Sequence, residues 1–298
     1  MITKAAIVFT TYNRSKLLRR AIQAAQKQSV PVKIIVMDDA STDGTSEMMA
    51  SEFPEIEYYR SLDNRGPCYQ RNRGIELAKA EVVFPLDDDS ILQSSHTVEQ
   101  TLAEFDAPRV GAVAIPFINK LRSERIHTQA PDKEEIYLTH AYVAASHAVR
   151  RETFLKTGGY REFFFYMGEE GDLCIRMLQH RSFVRLGTAD PIHHLQPPNR
   201  ISVKADVFGR QNDILFVHCN APSRYLFPYL LGTSAKGILH GLEVRRSGNM
   251  LRGLSKGYSM ALTNFKARSP VHSDCFRLHR MLKKRECVPL REVEHYFN

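Results

Sequence analysis

The sequence predicts an α/β protein, with a mostly parallel sheet flanked by helices and a helical appendage at the C-terminal end. Three observations support this fold class. Continuous apolar runs alternate with helical stretches in the first half of the chain, and polar clusters follow three of those runs. Beyond residue 200 the sequence becomes helical, with apolar and basic residues mixed. Continuous apolar strands are typical of a sheet that is covered on both faces.

In the first part of the chain, strands and helices are predicted in alternation. Ser15 is expected to cap the first helix, and Thr42 or Asp43 lies near the start of the second, because such side chains accept hydrogen bonds from free N–H groups there. The predicted strands span 5–11, 32–37, 57–59 and 81–86, and the predicted helices span 15–28, 42–52 and 70–78.

The next part of the chain is less regular. We expect helices over 97–104, 151–156 and 171–179 and strands over 110–117 and 183–186. Gly158 and Gly159 should end the second of these helices. The charged residues 120–138 predict a mobile loop.

Composition and cysteine usage set the broad class. The 298 residues, 43% hydrophobic and 25% charged, suffice for one large domain with an appendage. The five scattered cysteines include no Cys-x-x-Cys pair, which argues against a disulfide framework or a zinc site and favours free thiols in a reducing compartment. Without a signal-peptide pattern or a run of roughly 20 apolar residues, we expect a cytoplasmic protein whose membrane contact, if any, is peripheral.

The positive charge is concentrated at the C-terminal end. The net charge is +8 overall, and residues 200–298 contain 17 Lys or Arg against 7 Asp or Glu. This asymmetry predicts two parts with different roles, a domain over 1–199 and a basic, mainly helical region over 200–298.

Three polar clusters should meet at one edge of the sheet. They are 10–14, 38–45 and 87–90, and each follows a predicted buried strand. Ligands of open parallel sheets bind beyond the carboxyl ends of the strands. The sequence therefore predicts a single binding site built from segments that lie far apart along the chain.

The acidic triplet Asp87-Asp88-Asp89 is the strongest candidate for a metal site. Three adjacent carboxylates repel one another unless solvent or a cation neutralises them. Their hard oxygen atoms suit Mg²⁺ or Mn²⁺, with phosphate and water as further ligands. A solvated acidic turn is the alternative, and the position at a strand's carboxyl end favours the metal.

Other polar groups near this edge have two interpretations each. Asp38 or Asp39 could accept a hydrogen bond from a base or a ribose hydroxyl, while their neighbours cap a helix. Arg71 suits forked hydrogen bonds with phosphate. The segment Glu169-Glu170-Gly171-Asp172 offers carboxylates for a general base or simply favourable charges at a helix N-terminus. His193 or His194 could bind the metal or be structural.

Six motifs in this order resemble the family 2 glycosyltransferases with the GT-A fold, a Rossmann-like nucleotide-binding architecture. The resemblance runs from about Ala5 to His194. Its motifs are Thr10-Thr11-Tyr12-Asn13-Arg14, the Asp38–Thr45 segment, Asn64-Arg65-Gly66 through Arg71-Asn72-Arg73-Gly74-Ile75, Leu86-Asp87-Asp88-Asp89, Arg150-Arg151-Glu152 through Gly158-Gly159-Tyr160, and Gly168-Glu169-Glu170-Gly171-Asp172-Leu173.

The resemblance implies an inverting, metal-dependent transfer from a UDP- or dTDP-sugar to an acceptor hydroxyl, in polysaccharide, glycolipid or glycoconjugate biosynthesis. Nucleotide-sugar contacts are implied for Thr10, Thr11, Tyr12, Arg14, Asp38, Asp39, Arg71, Asp87 and Asp88. Asp89 is the first choice for the metal, with Asp87, His193 and His194 as further ligands. Glu170 stands where the family's base stands; Glu169 and Asp172 are alternatives. Where the family's usual motif is Gly-Gly-Phe-Asp, this chain has Gly-Gly-Tyr160-Arg161.

The basic C-terminal region allows two uses. It could contact anionic lipid or a lipid-linked acceptor at the inner face of the membrane, or pack on the catalytic domain or on a second copy in a homodimer. A different functional class is a nucleotide-sugar-binding or nucleic-acid-binding module without catalysis. No RNA- or DNA-binding motif is recognisable, so we expect no nucleic-acid partner.

Overall fold

The computed structural model describes residues 3–196 and 203–297. Its strands are short except for three that are neighbours in the larger sheet. In chain order they are β1 (Thr3–Thr11), β2 (Lys33–Asp38), β3 (Glu57–Arg60), β4 (Ala80–Asp87), β5 (Ser90–Ile91), β6 (Val110–Ala114), β7 (Phe117–Asn119), β8 (Ile126–His127), β9 (Tyr137–Thr139), β10 (His147–Arg150), β11 (Phe183–Leu186), β12 (Ile192–His194) and β13 (Val288–Pro289).

The helices fall into two groups, short ones between the strands and longer ones after residue 203. They are α1 (Ser15–Ala25), α2 (Thr45–Glu52), α3 (Pro67–Ala78), α4 (Thr97–Ala103), α5 (Arg151–Thr157), α6 (Glu169–Gln179), α7 (Val203–Asn220), α8 (Ser223–Glu243), α9 (Ser247–Thr263), α10 (Ser273–Arg285) and α11 (Leu290–Val293). Short 3₁₀ turns occupy Glu162–Phe164, Phe265–Ala267 and Glu294–Tyr296.

The larger sheet has the strand order β13-β9-β11-β6-β10-β4-β1-β2-β3. Strands β1 to β4 pair in parallel, and the register sets Thr10 beside Asp87 and Thr11 beside Asp38. The polar residues that end β1, β2 and β4 therefore lie at one edge, as the convergence argument predicts. β10 runs antiparallel between β4 and β6, and the α/β fold class is confirmed.

Both faces of this sheet are covered. Along β1, alternate side chains enter two different core clusters: Ile7 and Phe9 pack on one face, and Ala6 and Val8 pack on the other. A strand that is buried on both sides needs apolar residues at every position, which explains the continuous apolar run from Ala5 to Phe9.

The smaller sheet has the order β5-β12-β7-β8 and lies beside the edge at which β4 ends. Antiparallel pairing of β12 with β5 sets His194 opposite Ser90. The register brings the end of β12 beside the acidic triplet, from a point more than 100 residues further along the chain.

Several predicted boundaries are wrong. Ser15 is the first residue of α1 rather than its cap, and its N–H donates to the Asp43 carboxylate at 2.9 Å. α2 begins at Thr45 instead of residue 42, after Gly44 in the left-handed conformation. The predicted strand over 110–117 divides at Pro116 between the two sheets, because proline cannot donate a ladder hydrogen bond. The predicted mobile loop contains β8 and the start of β9.

The region after residue 203 contacts the sheet directly. β13 pairs with β9 and extends the larger sheet, and Leu278, Leu282 and Val288 enter the same core cluster as Phe9. The predicted division into 1–199 and 200–298 remains a prediction, and its boundary lies outside the described residues. In the two described ranges, none of the helices has the length and apolarity that crossing a membrane requires.

Candidate functional site

A cavity of about 470 Å³ opens at the carboxyl ends of β1, β2 and β4; we call it the donor cavity. Residues from all of the predicted clusters line it. Those named in the sequence analysis are Thr10, Thr11, Tyr12, Arg14, Asp39, Arg71, Asp87, Asp88, Asp89, Glu169, Glu170 and His194.

Three predicted site residues do not line the donor cavity. Asp38 is fully buried, and its carboxylate accepts hydrogen bonds from the Tyr58 hydroxyl and the Ser41 N–H. This carboxylate therefore orders the loop after β2, away from the ligand side.

Asp172 is also fully buried, and its carboxylate joins several segments. It accepts hydrogen bonds from Arg161, Arg176 and the Asn220 side chain. Arg161, where the family's usual motif has an acid, thus forms an ion pair at 2.5 Å with this carboxylate. Both oxygens of Asp172 are occupied by these structural contacts.

His193 is the third residue outside the cavity. Neighbouring side chains of a strand point to opposite faces, so only one residue of the His193-His194 pair can face the acidic triplet. His194 is that residue and is 6% exposed, whereas His193 is half-buried.

Arginines neutralise part of the acidic triplet. Arg14 donates to Asp88 at 3.0 Å and to Asp89 at 2.9 Å, and Arg71 donates to Asp87 at 2.6 Å. Burial raises the pKa of Asp88 to about 7, against the opposing charge of Arg14. The triplet is therefore a buried, charge-compensated wall of the cavity rather than a solvated turn.

Two buried atoms at this wall face each other without a hydrogen bond. The Asp89 Oδ1 atom and the His194 Nε2 atom are 3.3 Å apart, and within the described residues neither has a hydrogen-bond partner of good geometry. The other ring nitrogen, Nδ1, lies 3.0 Å from the Asn119 side-chain oxygen. Because that oxygen only accepts, Nδ1 carries a proton, and in the neutral ring Nε2 presents a lone pair.

A carboxylate oxygen and a neutral imidazole nitrogen that point into one polar cavity fit a divalent cation. In the described ranges, no group of three or more His, Cys, Asp or Glu side chains could hold a metal ion unaided. A cation at Asp89 and His194 would thus need ligands from the bound molecule or from water.

Glu169 and Glu170 lie in the first turn of α6 and also line the donor cavity. Glu169 is buried, and its Oε1 atom accepts a hydrogen bond from Arg71 at 2.8 Å. Burial and the neighbouring Glu170 raise the pKa of Glu169 to about 8, against the effect of Arg71. Glu170 is half-buried, and burial raises its pKa as well, although Arg71 opposes the rise.

Glu170 differs from Glu169 in what it faces. It lines the donor cavity and also a neighbouring cavity of about 430 Å³, while its Oε1 atom accepts the Ala144 N–H at 3.3 Å. A carboxylate with a raised pKa that lies between two cavities is suited to taking a proton from a molecule in one cavity as it reacts with a molecule in the other.

Sequence reasoning missed several residues that shape the site. Gln70 donates to Asp39, which also accepts the N–H groups of Arg65 and Gly66. Asn212 of α7 donates to the carbonyls of the segment that precedes α6. Such polar helix residues have no local signal of function, since their partners come from distant segments.

Comparisons with known proteins identify the family of this chain. Residues 6–166 match the family model described as glycosyl transferase family 2. The GalNAc(5)-diNAcBac-PP-undecaprenol beta-1,3-glucosyltransferase of Campylobacter jejuni is 28% identical over 60% of this chain and 61% of its own length. The O-antigen chain rhamnosyltransferase of Salmonella typhimurium is 26% identical over 59% and 61%. The chain thus spans about three fifths of the length of these relatives.

Solved structures have the same fold. The mannosyltransferase of Pyrobaculum calidifontis, in complex with GDP-Man and Mn²⁺, superposes with a TM-score of 0.59 over 95% of this chain and 84% of its own, at 17% identity. TarS of S. aureus, residues 1–349 in complex with UDP-GlcNAc, gives a TM-score of 0.56 over 87% and 92%, at 14% identity.

Proposed function

This chain belongs to glycosyl transferase family 2, and from that premise we propose that it moves a sugar from a nucleotide-diphosphosugar to an acceptor hydroxyl with inversion at the anomeric carbon. The observation that carries the proposal is the presence in one cavity of a candidate metal site, at Asp89 and His194, and a candidate base, Glu170. We expect the donor to carry UDP or dTDP.

The donor is proposed to lie along the ends of β1 and β4. Thr10, Thr11, Tyr12 and the Asp39 loop surround the base and ribose. The metal, Mn²⁺ or Mg²⁺, would be held by Asp89 and His194 together with diphosphate oxygens, and when bound it would supply charge that stabilises the leaving diphosphate. The contact of His194 Nδ1 with the Asn119 side chain, which orients the imidazole toward Asp89, supports this assignment.

The chemistry is an in-line displacement. Glu170 accepts the proton of the acceptor hydroxyl while that oxygen forms a bond with the sugar C1 atom. The bond from C1 to the phosphate oxygen breaks on the opposite face, and the nucleoside diphosphate leaves with the electron pair. Arg71, which already contacts Asp87 and Glu169, adds positive charge on the leaving-group side.

Glu170 is preferred to the other two carboxylates on contacts. Glu169 is committed to Arg71, and Asp172 is enclosed by two arginines and Asn220. Only Glu170 of the three also lines the neighbouring cavity, from which an acceptor could approach.

We further propose that the protein contacts the inner face of a membrane through α8 and α9, where a lipid-linked acceptor would be presented. Their exposed apolar side chains include Phe227, Leu231, Leu239, Leu242 and Leu262, and basic residues accompany them. The Campylobacter jejuni relative is named for an undecaprenol-linked acceptor. An apolar face flanked by cations is typical of helices at an anionic lipid interface.

Vesicle flotation tests the membrane contact. Phe227→Ser with Leu239→Ser should abolish flotation with vesicles that contain anionic lipid, whereas Leu62→Ser, at an even more exposed leucine elsewhere, should not. If the double variant instead converts a dimer into a monomer in light scattering and leaves flotation unchanged, this face binds a second copy.

A donor screen tests the activity. UDP-, dTDP- and GDP-sugars are incubated with the protein and Mn²⁺ or Mg²⁺, and nucleotide release is measured with and without candidate acceptors. Release from one class of donor supports the transferase. Nucleotide binding without release under any of these conditions would support the alternative, a nucleotide-sugar-binding or nucleic-acid-binding module without catalysis.

A further inference from the structure

The cavity on the far side of Glu170 has its own polar lining. Its volume is about 430 Å³, and it lies between α6, α7 and α10; we call it the acceptor cavity. His140, His279, Arg210 and Lys283 contribute to its walls. The donor-binding proposal leaves these four residues without a role.

His279 is the clearest sign that this cavity receives a ligand. It is 2% exposed, and in the part of the chain that the structure describes neither of its ring nitrogens has a hydrogen-bond partner. The Nδ1 atom of His140, whose ring centroid lies 5.7 Å from that of His279, is likewise unpartnered in those ranges. Buried polar atoms are normally satisfied by protein, water or ligand.

Both imidazoles are held neutral. Burial lowers the pKa of His140 to about 4, and it lowers the pKa of His279 well below its ordinary value, with nearby cations adding to the effect. A neutral imidazole offers one donor and one acceptor, which suits the hydroxyl groups of a sugar.

A second, strongly basic cavity joins the acceptor cavity. It has a volume of about 740 Å³ and shares Arg210, Asp213 and Lys283 with it; we call it the cationic cleft. Three helices bring its five cations together, Arg210 from α7, Lys236 from α8, and Arg280, Lys283 and Lys284 from α10.

The cleft holds more positive charge than its own carboxylate can balance. Among the described lining residues, Asp213 is the single acid, and it is paired with Arg210 at 2.5 Å. Burial lowers the pKa of Lys283, and Arg280, Lys236 and Arg210 lower it further, while Asp213 opposes them. Like charges gathered by separate helices are costly unless an anion binds among them.

We propose that the cationic cleft binds the phosphate or diphosphate group of the acceptor, while the acceptor's sugar occupies the acceptor cavity and directs its hydroxyl to Glu170. This inference rests on the proposed function for its catalytic meaning, but the anion site itself does not. Lysine and arginine side chains from three helices supply the multiple charge-assisted hydrogen bonds that a diphosphate accepts.

Direct binding tests the site without turnover. Farnesyl diphosphate, inorganic pyrophosphate and farnesol are titrated calorimetrically into the full-length protein in EDTA, so that metal-dependent binding in the donor cavity does not contribute. We expect both diphosphates to bind and farnesol not to bind. Tighter binding of farnesyl diphosphate would indicate a lipid-linked source, and equal binding would indicate recognition of phosphate alone.

Matched variants separate a built site from general surface charge. Lys236→Gln, Lys283→Gln and Lys284→Gln together should weaken diphosphate binding at least tenfold. The control removes three exposed cations outside the cleft and outside α8 and α9, Arg20→Gln, Lys27→Gln and Lys156→Gln, and should change binding less than twofold. Arginine at the three cleft positions should restore binding, which distinguishes lost charge from damaged folding.

Two results would overturn the proposal: equal weakening in the cleft variant and the control, or no diphosphate binding to the wild type. Mn²⁺-dependent UDP binding is measured on the same samples and tests the proposed function separately. If the wild type binds diphosphate but does not bind UDP, the donor proposal is refuted and the proposal for the cationic cleft is not affected.

Discussion

Two regions of the molecule are built in different ways. One is the donor cavity, and the other is the acceptor cavity together with the cationic cleft. The donor cavity stands on the ends of β1, β2 and β4, which pair in parallel and must finish at one edge. The acceptor cavity and the cleft stand on faces of α6, α7, α8 and α10, whose relative placement depends on packing. Backbone hydrogen bonding thus determines the first, and tertiary contacts determine the second.

The largest effect on sugar transfer is expected from changing Glu170, which lines both the donor cavity and the acceptor cavity. Glu170→Gln keeps the size of the side chain but removes the proton acceptor, so transfer should fall by about 10²–10⁴-fold. Donor binding should be nearly unchanged, because the diphosphate is proposed to bind through the metal at Asp89 and His194 rather than through Glu170. The measurement is kcat for sugar transfer together with calorimetric binding of the nucleotide.

The control for this change is Glu152→Gln, an exposed glutamate on α5, which should retain full activity. Near-normal turnover of Glu170→Gln would exclude Glu170 as the base and direct attention to Glu169.

A second change tests whether Asp172 belongs to the chemistry or to the framework. Asp172→Asn leaves Arg161 and Arg176 without their carboxylate in a buried site, so the free energy of unfolding should fall by about 3 kcal/mol. Turnover per folded molecule should remain within a few fold of wild type. The measurement is urea unfolding followed by kcat at a temperature where the variant is folded.

Asp274→Asn is the matched control, because it removes a surface ion pair with Arg277 and should change stability by less than about 1 kcal/mol. A folded Asp172→Asn protein that has lost turnover as fully as Glu170→Gln would make Asp172 part of the catalytic machinery.

Asn119 tests the orientation of His194. Asn119→Ala removes the acceptor that holds the His194 Nδ1 proton, so the lone pair at Nε2 is no longer fixed toward Asp89. Loss of such an outer partner typically weakens metal binding by about 10-fold or more. The measurement is the Mn²⁺ concentration that half-saturates nucleotide binding. An unchanged value would mean that the imidazole does not bind the metal.

The pH dependence of kcat/KM should give the smallest of these effects when activity is measured near neutral pH. Glu170 must be ionised to act as a base, and its buried position raises its pKa. The acid limb of kcat/KM should therefore lie above the ordinary glutamate value of about 4.3, with activity increasing as pH rises through it. A profile measured from pH 4 to pH 9 checks this, and an acid limb at or below the ordinary value would contradict the assignment.

The same contrast explains what the sequence could predict. The fold class and the meeting of Thr11, Arg14 and the acidic triplet follow from strand order and parallel register. The different positions of His193 and His194 could not be predicted in this way, because they depend on the pairing of β12 with β5. The burial of Asp38 and Asp172 could not be predicted either, because it depends on partners from distant segments, such as Tyr58, Arg161 and Arg176. The basic sequence after residue 200 predicted cations without revealing that three helices gather them around a cleft.

In the proposed function, the ends of β4 and β12 hold a metal-bound nucleoside diphosphate. The most direct test is calorimetric binding of UDP with Mn²⁺ or with EDTA to the wild type, His194→Ala and the neighbouring His193→Ala. We expect Mn²⁺-dependent binding that is weakened at least tenfold by His194→Ala and unchanged by His193→Ala. Equally tight binding in EDTA, or equal losses in the two variants, would contradict it.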